Sequence, residues 1–60
     1  MNDKYIIVAK RSKKNYYVTD VGLTTNRFMA KMYETFSDVE KKIRALNSLG
    51  FSPSYEVENE

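Results

Sequence analysis

The sequence predicts an α+β fold: a small antiparallel sheet of three to four strands with one helix, in the C-terminal half, packed on one face. Three observations carry this. Two runs rich in β-branched and aromatic residues, "KYIIVAKR" and "NYYVTDV", flank a polar "SKKN", the pattern of a hairpin. Val39, Ile43, Leu46 and Leu49 follow at helical spacing between "SDVE" and Gly50, one apolar stripe with a start and a stop. The chain has 60 residues, room for a single domain over 1–60 and no second layer of helices.

The first strand has Tyr5, Ile7 and Ala9 on one face and Ile6, Val8 and Lys10 on the other. Both sets are largely apolar, whereas a strand wet on one side alternates cleanly. "SKKN" makes the connection, with Asn15 as the left-handed turn residue. In the second strand Tyr16 and Val18 share one face, Tyr17 and Thr19 the other. Gly22 ends the hairpin. Thr24 or Thr25 caps a short helical turn over residues 26–30, with Phe28 and Met29 folded inward. "KMYETF" reads as a third strand. The helix opens on a capping box, in which the Ser37 hydroxyl accepts from the amide of Glu40 and the Glu40 side chain reaches back. Gly50 supplies a left-handed C-cap that lets Phe51 contact Leu46, and Pro53 prevents continuation. "SYEVE" is a short closing strand with Tyr55 and Val57 inward.

Hydrophobic residues make up 42% and charged residues 30%, a globular composition. The longest apolar run, residues 5–9, is too short to span a membrane, and the N-terminus lacks a long apolar signal region. The expectation is a soluble protein of the cytoplasm. Charge is polarised: residues 1–33 carry seven cations against two anions, and residues 34–60 three against six. That suits an acidic partner or complementarity between copies.

Catalysis finds little to use. The chain has no Cys and no His, so it lacks the commonest zinc ligands and the commonest general base. No serine has an activating partner in sequence, and Gly22 and Gly50 stand too far apart for a phosphate loop. We therefore expect no catalytic residue, no cofactor and no metal. Glu56, Glu58 and Glu60 alternate along a strand and so share one face, read as a solvated acidic edge. Lys10, Arg11, Lys13 and Lys14 form a basic patch at the hairpin tip. Beside it Tyr16 or Tyr17 could stack on a nucleic acid, or the lysines could simply keep the tip solvated. Five tyrosines in so short a chain also suit an interface. One helix covers one face, so a second apolar face is expected to pair with another copy, the candidates being Tyr5, Ile7, Tyr16, Val18 and Met32.

With these residues laid out, "KYIIVAKRSKKNYYVTDVG" followed by "AKMYETFSDVEKKIRALNSLGF" resembles a family of very small proteins encoded by phages and prophages of Gram-positive bacteria. The matching residues are Ala30, Lys31, Tyr33, Thr35, Ser37, Glu40 and Gly50. The resemblance covers nearly the whole chain and is a structural pattern, not a site motif. It implies phage origin; with the residue readings above, the expectation is a non-enzymatic binding protein, a homodimer in the host cytoplasm. Its implied role is inhibition of a host protein, in the manner of anti-defence inhibitors of the anti-Hachiman or anti-CRISPR type. The alternative is a small nucleic-acid-binding accessory protein that uses the basic tip.

Overall fold

The computed structural model describes residues 3–59. Four strands, β1 (Asp3–Arg11), β2 (Lys14–Thr19), β3 (Gly22–Thr24) and β4 (Ser52–Asn59), form one antiparallel sheet in the order β3-β2-β1-β4. The helix α1 spans Phe36–Ser48, and a single 3-10 turn spans Arg27–Met29. The fold is the α+β architecture the sequence predicts. No helix among the described residues is long and apolar enough to cross a membrane.

The β1–β2 hairpin is tighter than "SKKN" suggests. Arg11 pairs with Lys14, so the loop is Ser12-Lys13, both at positive φ (53° and 66°). That is the geometry of a type I′ turn, whose twist matches that of the strands. Asn15 lies in β2 opposite Lys10 and is not the turn residue. A second two-residue loop, Asp20-Val21, joins β2 to β3, where Thr19 pairs with Gly22. Gly22 thus opens a strand instead of closing a hairpin.

Register decides which side chains share a face. Ile7 pairs with Tyr55, Tyr5 with Val57 and Ala9 with both Pro53 and Tyr16. These residues, with Val18, meet α1. Ile7, Ala9, Val18, Val39 and Leu46 form the core, each 4% exposed or less, with Tyr5, Tyr16, Tyr33, Ile43 and Phe51 packed around it. Leu49, read as the end of the helical stripe, is exposed.

The opposite face is closed too. Ile6 is 2% and Val8 8% exposed, although the helix lies on the other side. From the 3-10 turn that follows β3, at one edge, the Arg27 guanidinium reaches Glu56 and Glu58 on β4, at the other. Glu56 pairs with Ile6 and Glu58 with Lys4, so all share the face that residues 25–30 must cross. The chain then returns to the sheet past the end of β2, where the Lys31 amide donates to the Val18 carbonyl (2.8 Å). Tyr33 and Tyr5 exchange two backbone hydrogen bonds of 2.8 Å.

That exchange is all that forms of the expected strand over "KMYETF". β2 already occupies this edge of β1 from Val8 onward, leaving room for one bridge at Tyr5. Phe36 joins the helix instead, its ring 5.6 Å from Tyr5 and 5.1 Å from Tyr55. The helix therefore starts earlier than the capping box implies. Thr35 is the N-cap residue, and its hydroxyl donates to Asp38 (2.6 Å), while Ser37 sits inside the first turn. The C-terminus follows the sequence reading: Gly50 has φ +92°, Phe51 N–H donates to the Leu46 carbonyl, and Gly50 N–H to that of Asn47 (both 3.1 Å). This is a complete Schellman motif.

Candidate binding surfaces

The residues expected to form a dimer face do not lie together on an open face of the sheet. Tyr5, Ile7, Tyr16 and Val18 lie on the face that α1 covers. Ile7 and Val18 are 0% and 1% exposed and offer a partner nothing. Sequence alone left open which alternating set the helix takes, and it takes this one. Met32 is half-exposed, but it sits in the returning segment, not on the sheet. The second face offers no open apolar area either: Ile6 and Val8 on it are buried, and the Arg27 guanidinium reaches Glu56 and Glu58 there.

The basic patch is brought together as expected. Lys10, Arg11, Lys13 and Lys14 are all exposed around the turn. Arg11 is partly engaged, its guanidinium 5.3 Å from the centre of the Phe51 ring. Phe51 in turn meets Tyr16 edge-on at 6.3 Å. Tyr16 is thereby committed to packing. Tyr17 lies half-buried on the Ile6 face, opposite Val8. Neither tyrosine presents an open ring beside the cations.

The acidic strand is not simply solvated. Arg27 joins Glu56 (2.7 Å) and Glu58, and these carboxylates raise its pKa further. Glu60 lies outside the described residues. Among the described residues no group of three or more acidic side chains is arranged to hold a metal ion. Sequence reading missed this clamp because its partners stand 29 and 31 positions apart and no local rule links them.

The surface that sequence reading missed altogether is the segment 20–32. Asp20 and Lys31 close it with a 2.8 Å ion pair that raises the Lys31 pKa. Asn26 caps the 3-10 turn, its side-chain oxygen accepting from the Phe28 amide (3.0 Å). Arg27 points to the sheet, so Phe28 and Met29 turn away. They are 94% and 65% exposed, the reverse of the inward packing expected. Val21 is 98% exposed. The available signal was weak: an apolar pair, Phe28-Met29, that belongs to no helical or alternating period.

A second apolar area lies at the β4 edge. Tyr5, Phe36 and Tyr55 form a triangle of edge-to-face rings. Phe36 and Tyr55 stay 39% and 44% exposed, and Val57 beside them 49%. Near the helix start, a shallow groove lined by Lys31, Tyr33, Asp38, Lys41 and Lys42 is open to solvent. Burial raises the Tyr33 hydroxyl pKa, and the Lys31 ammonium, 5.1 Å from its ring centre, partly opposes this.

Comparison of the chain with models of protein families, with curated proteins and with solved structures finds no match. The binding surfaces themselves are what a functional reading has to stand on.

Proposed function

We propose that this chain is a non-enzymatic, phage-encoded binding protein that inhibits a host protein by docking the apolar rim of segment 20–32 against it. The observation that carries the reading is the outward placement of Phe28, Val21 and Met29. A phenylalanine ring left in water forgoes about 2 kcal/mol of burial, and large exposed apolar side chains on an ordered segment suit a partner's pocket. The segment is already braced by Arg27 and by the Asp20–Lys31 pair, so docking loses little conformational freedom. The choice of a host protein, and of a defence component in particular, rests on the resemblance to small phage and prophage proteins.

The test is affinity capture from a bacterial host lysate with three baits: the wild-type chain, Phe28→Asp, and a variant with Lys10, Arg11, Lys13 and Lys14 all changed to Ala. A host protein held by the wild type and the tip variant but lost by Phe28→Asp supports the reading. Capture that is unaffected by Phe28→Asp overturns it.

The four exposed cations of the tip favour a second reading, contact with nucleic acid. On that reading the wild type binds single-stranded DNA or RNA at low salt, and the tip variant loses about one unit of salt slope per phosphate contact removed. No binding to either polymer at low salt eliminates it.

A further inference from the structure

We infer that two copies of this chain associate through their β4 edges, pairing antiparallel about a two-fold axis at Tyr55 to join two four-stranded sheets into one. The inference is independent of the host-protein reading, since the outward side chains Val21, Phe28 and Met29 are not used.

The two edges of the sheet differ. β3 presents only Gly22–Thr24, whereas β4 runs from Ser52 to Asn59 and pairs with β1 alone. A long strand with one row of backbone donors and acceptors unpaired is a template for another strand. The side chains of β4 make that template self-complementary. On the helix side it carries Pro53, Tyr55 and Val57, and on the other Ser52, Ser54, Glu56 and Glu58. With the axis at Tyr55, each Tyr55 meets its own copy and Val57 meets Pro53 of the other copy. On the opposite side Glu56 faces Ser54 and Glu58 faces Ser52, so a hydroxyl stands opposite every carboxylate.

Sliding the axis to Glu56 sets the two Glu56 carboxylates opposite each other, and sliding it to Val57 sets Glu56 against Glu58. Directly opposed like charges are destabilising. Sliding it to Ser54 avoids that clash but pairs less of the strand. The Tyr55 register is therefore the longest one free of carboxylate pairs. It also covers what α1 leaves wet, since Tyr55 and Val57 are 44% and 49% exposed and sit beside Phe36 at the same edge.

Ser54 gives the test, because it is exposed. Sedimentation equilibrium from micromolar to millimolar concentration is expected to return a species of twice the 7.0 kDa chain mass. Ser54→Glu places two new carboxylates opposite Glu56 and weakens the dimer about 10-fold, while Ser54→Lys places ammonium groups there and tightens it by a similar factor. Circular dichroism of both variants at low concentration confirms the fold. A monomer mass throughout, or a dimer indifferent to both substitutions, overturns the inference, as does a dimer that Phe28→Asp dissolves.

Discussion

The two faces of the sheet are closed by different means. On one, α1 lays Val39 and Leu46 onto Ile7, Ala9 and Val18, and the seal is continuous apolar packing. On the other, Ile6 and Val8 lie under a crossing of a few residues, held by Arg27 on Glu56 and Glu58 and by Lys31 on Asp20. One face is sealed by shape and the other by charge. A chain of 60 residues without cysteine thereby covers both sides of a central strand with one α-helix among the described residues, where small domains usually need further support. Because a thin charged cover has no apolar stripe to bury, its apolar residues are left facing outward.

The largest effect is expected where packing is deepest. Ile7→Ala should cost about 4 kcal/mol and Ile6→Ala nearer 2 kcal/mol, because the thin cover over Ile6 can settle into the space while the helix cannot. Urea denaturation followed by circular dichroism measures both. Equal losses would mean that the two faces are packed alike.

At the ends of α1 the comparison is between a glycine that geometry requires and a serine that it does not. Gly50→Val should cost about 1 kcal/mol or more through its positive φ alone, since a Cβ there meets no neighbouring atom within 4 Å. Ser37→Ala should cost under about 0.3 kcal/mol, because the N-cap is Thr35, and Thr35→Ala should cost about 0.5 kcal/mol. A larger loss at Ser37 than at Thr35 would move the cap back to the position the sequence suggests.

The hairpin tip offers a gain. Lys13 sits at φ 66°, where a side chain is strained, so Lys13→Gly should raise stability by about 0.5 kcal/mol. No gain in the denaturation midpoint would mean that the turn is not of type I′.

The charged face also predicts a pH response. Tyr33 and Lys31 both have folded-state pKa values above their ordinary 10.0 and 10.5. A group with a raised folded pKa contributes stability that is complete below its unfolded pKa and is lost as pH rises through the folded one. Thermal midpoints should therefore be flat in the neutral range as far as these groups are concerned and fall gradually above about pH 10. Tyr33→Phe should flatten part of that fall.

The helix-side face was largely legible in the sequence. Its signals are local and periodic, the Val39–Ile43–Leu46 stripe and glycine at the one C-cap that needs positive φ, although which alternating set of β1 and β2 meets that stripe was not legible. Both faces of β1 read as apolar, and both are buried, so the need for two covers was legible as well. The identity of the second cover was not. Arg27 finds Glu56 and Glu58 across the sheet, and nothing near Arg27 in sequence marks it as a clamp. The expected strand over "KMYETF" failed for a related reason: β2 had already taken the edge of β1 it needed, and Phe36 gained more from the Tyr5–Tyr55 rings than from continuing a strand. The Ser12-Lys13 turn was hidden because neither residue is a usual choice at positive φ.

The central claim is that a single chain closes both faces, one by packing and one by an ionic crossing. It is tested most directly by NMR of methyl-labelled protein with a soluble paramagnetic probe, at a concentration where the chain is monomeric. The account predicts that the methyl groups of Ile6 and Ile7 are both protected in the wild type. In Arg27→Ala, those of Ile6 should become accessible to the probe while those of Ile7 remain protected. Probe access to Ile6 in the wild-type monomer, or unchanged protection of Ile6 in the variant, would contradict it.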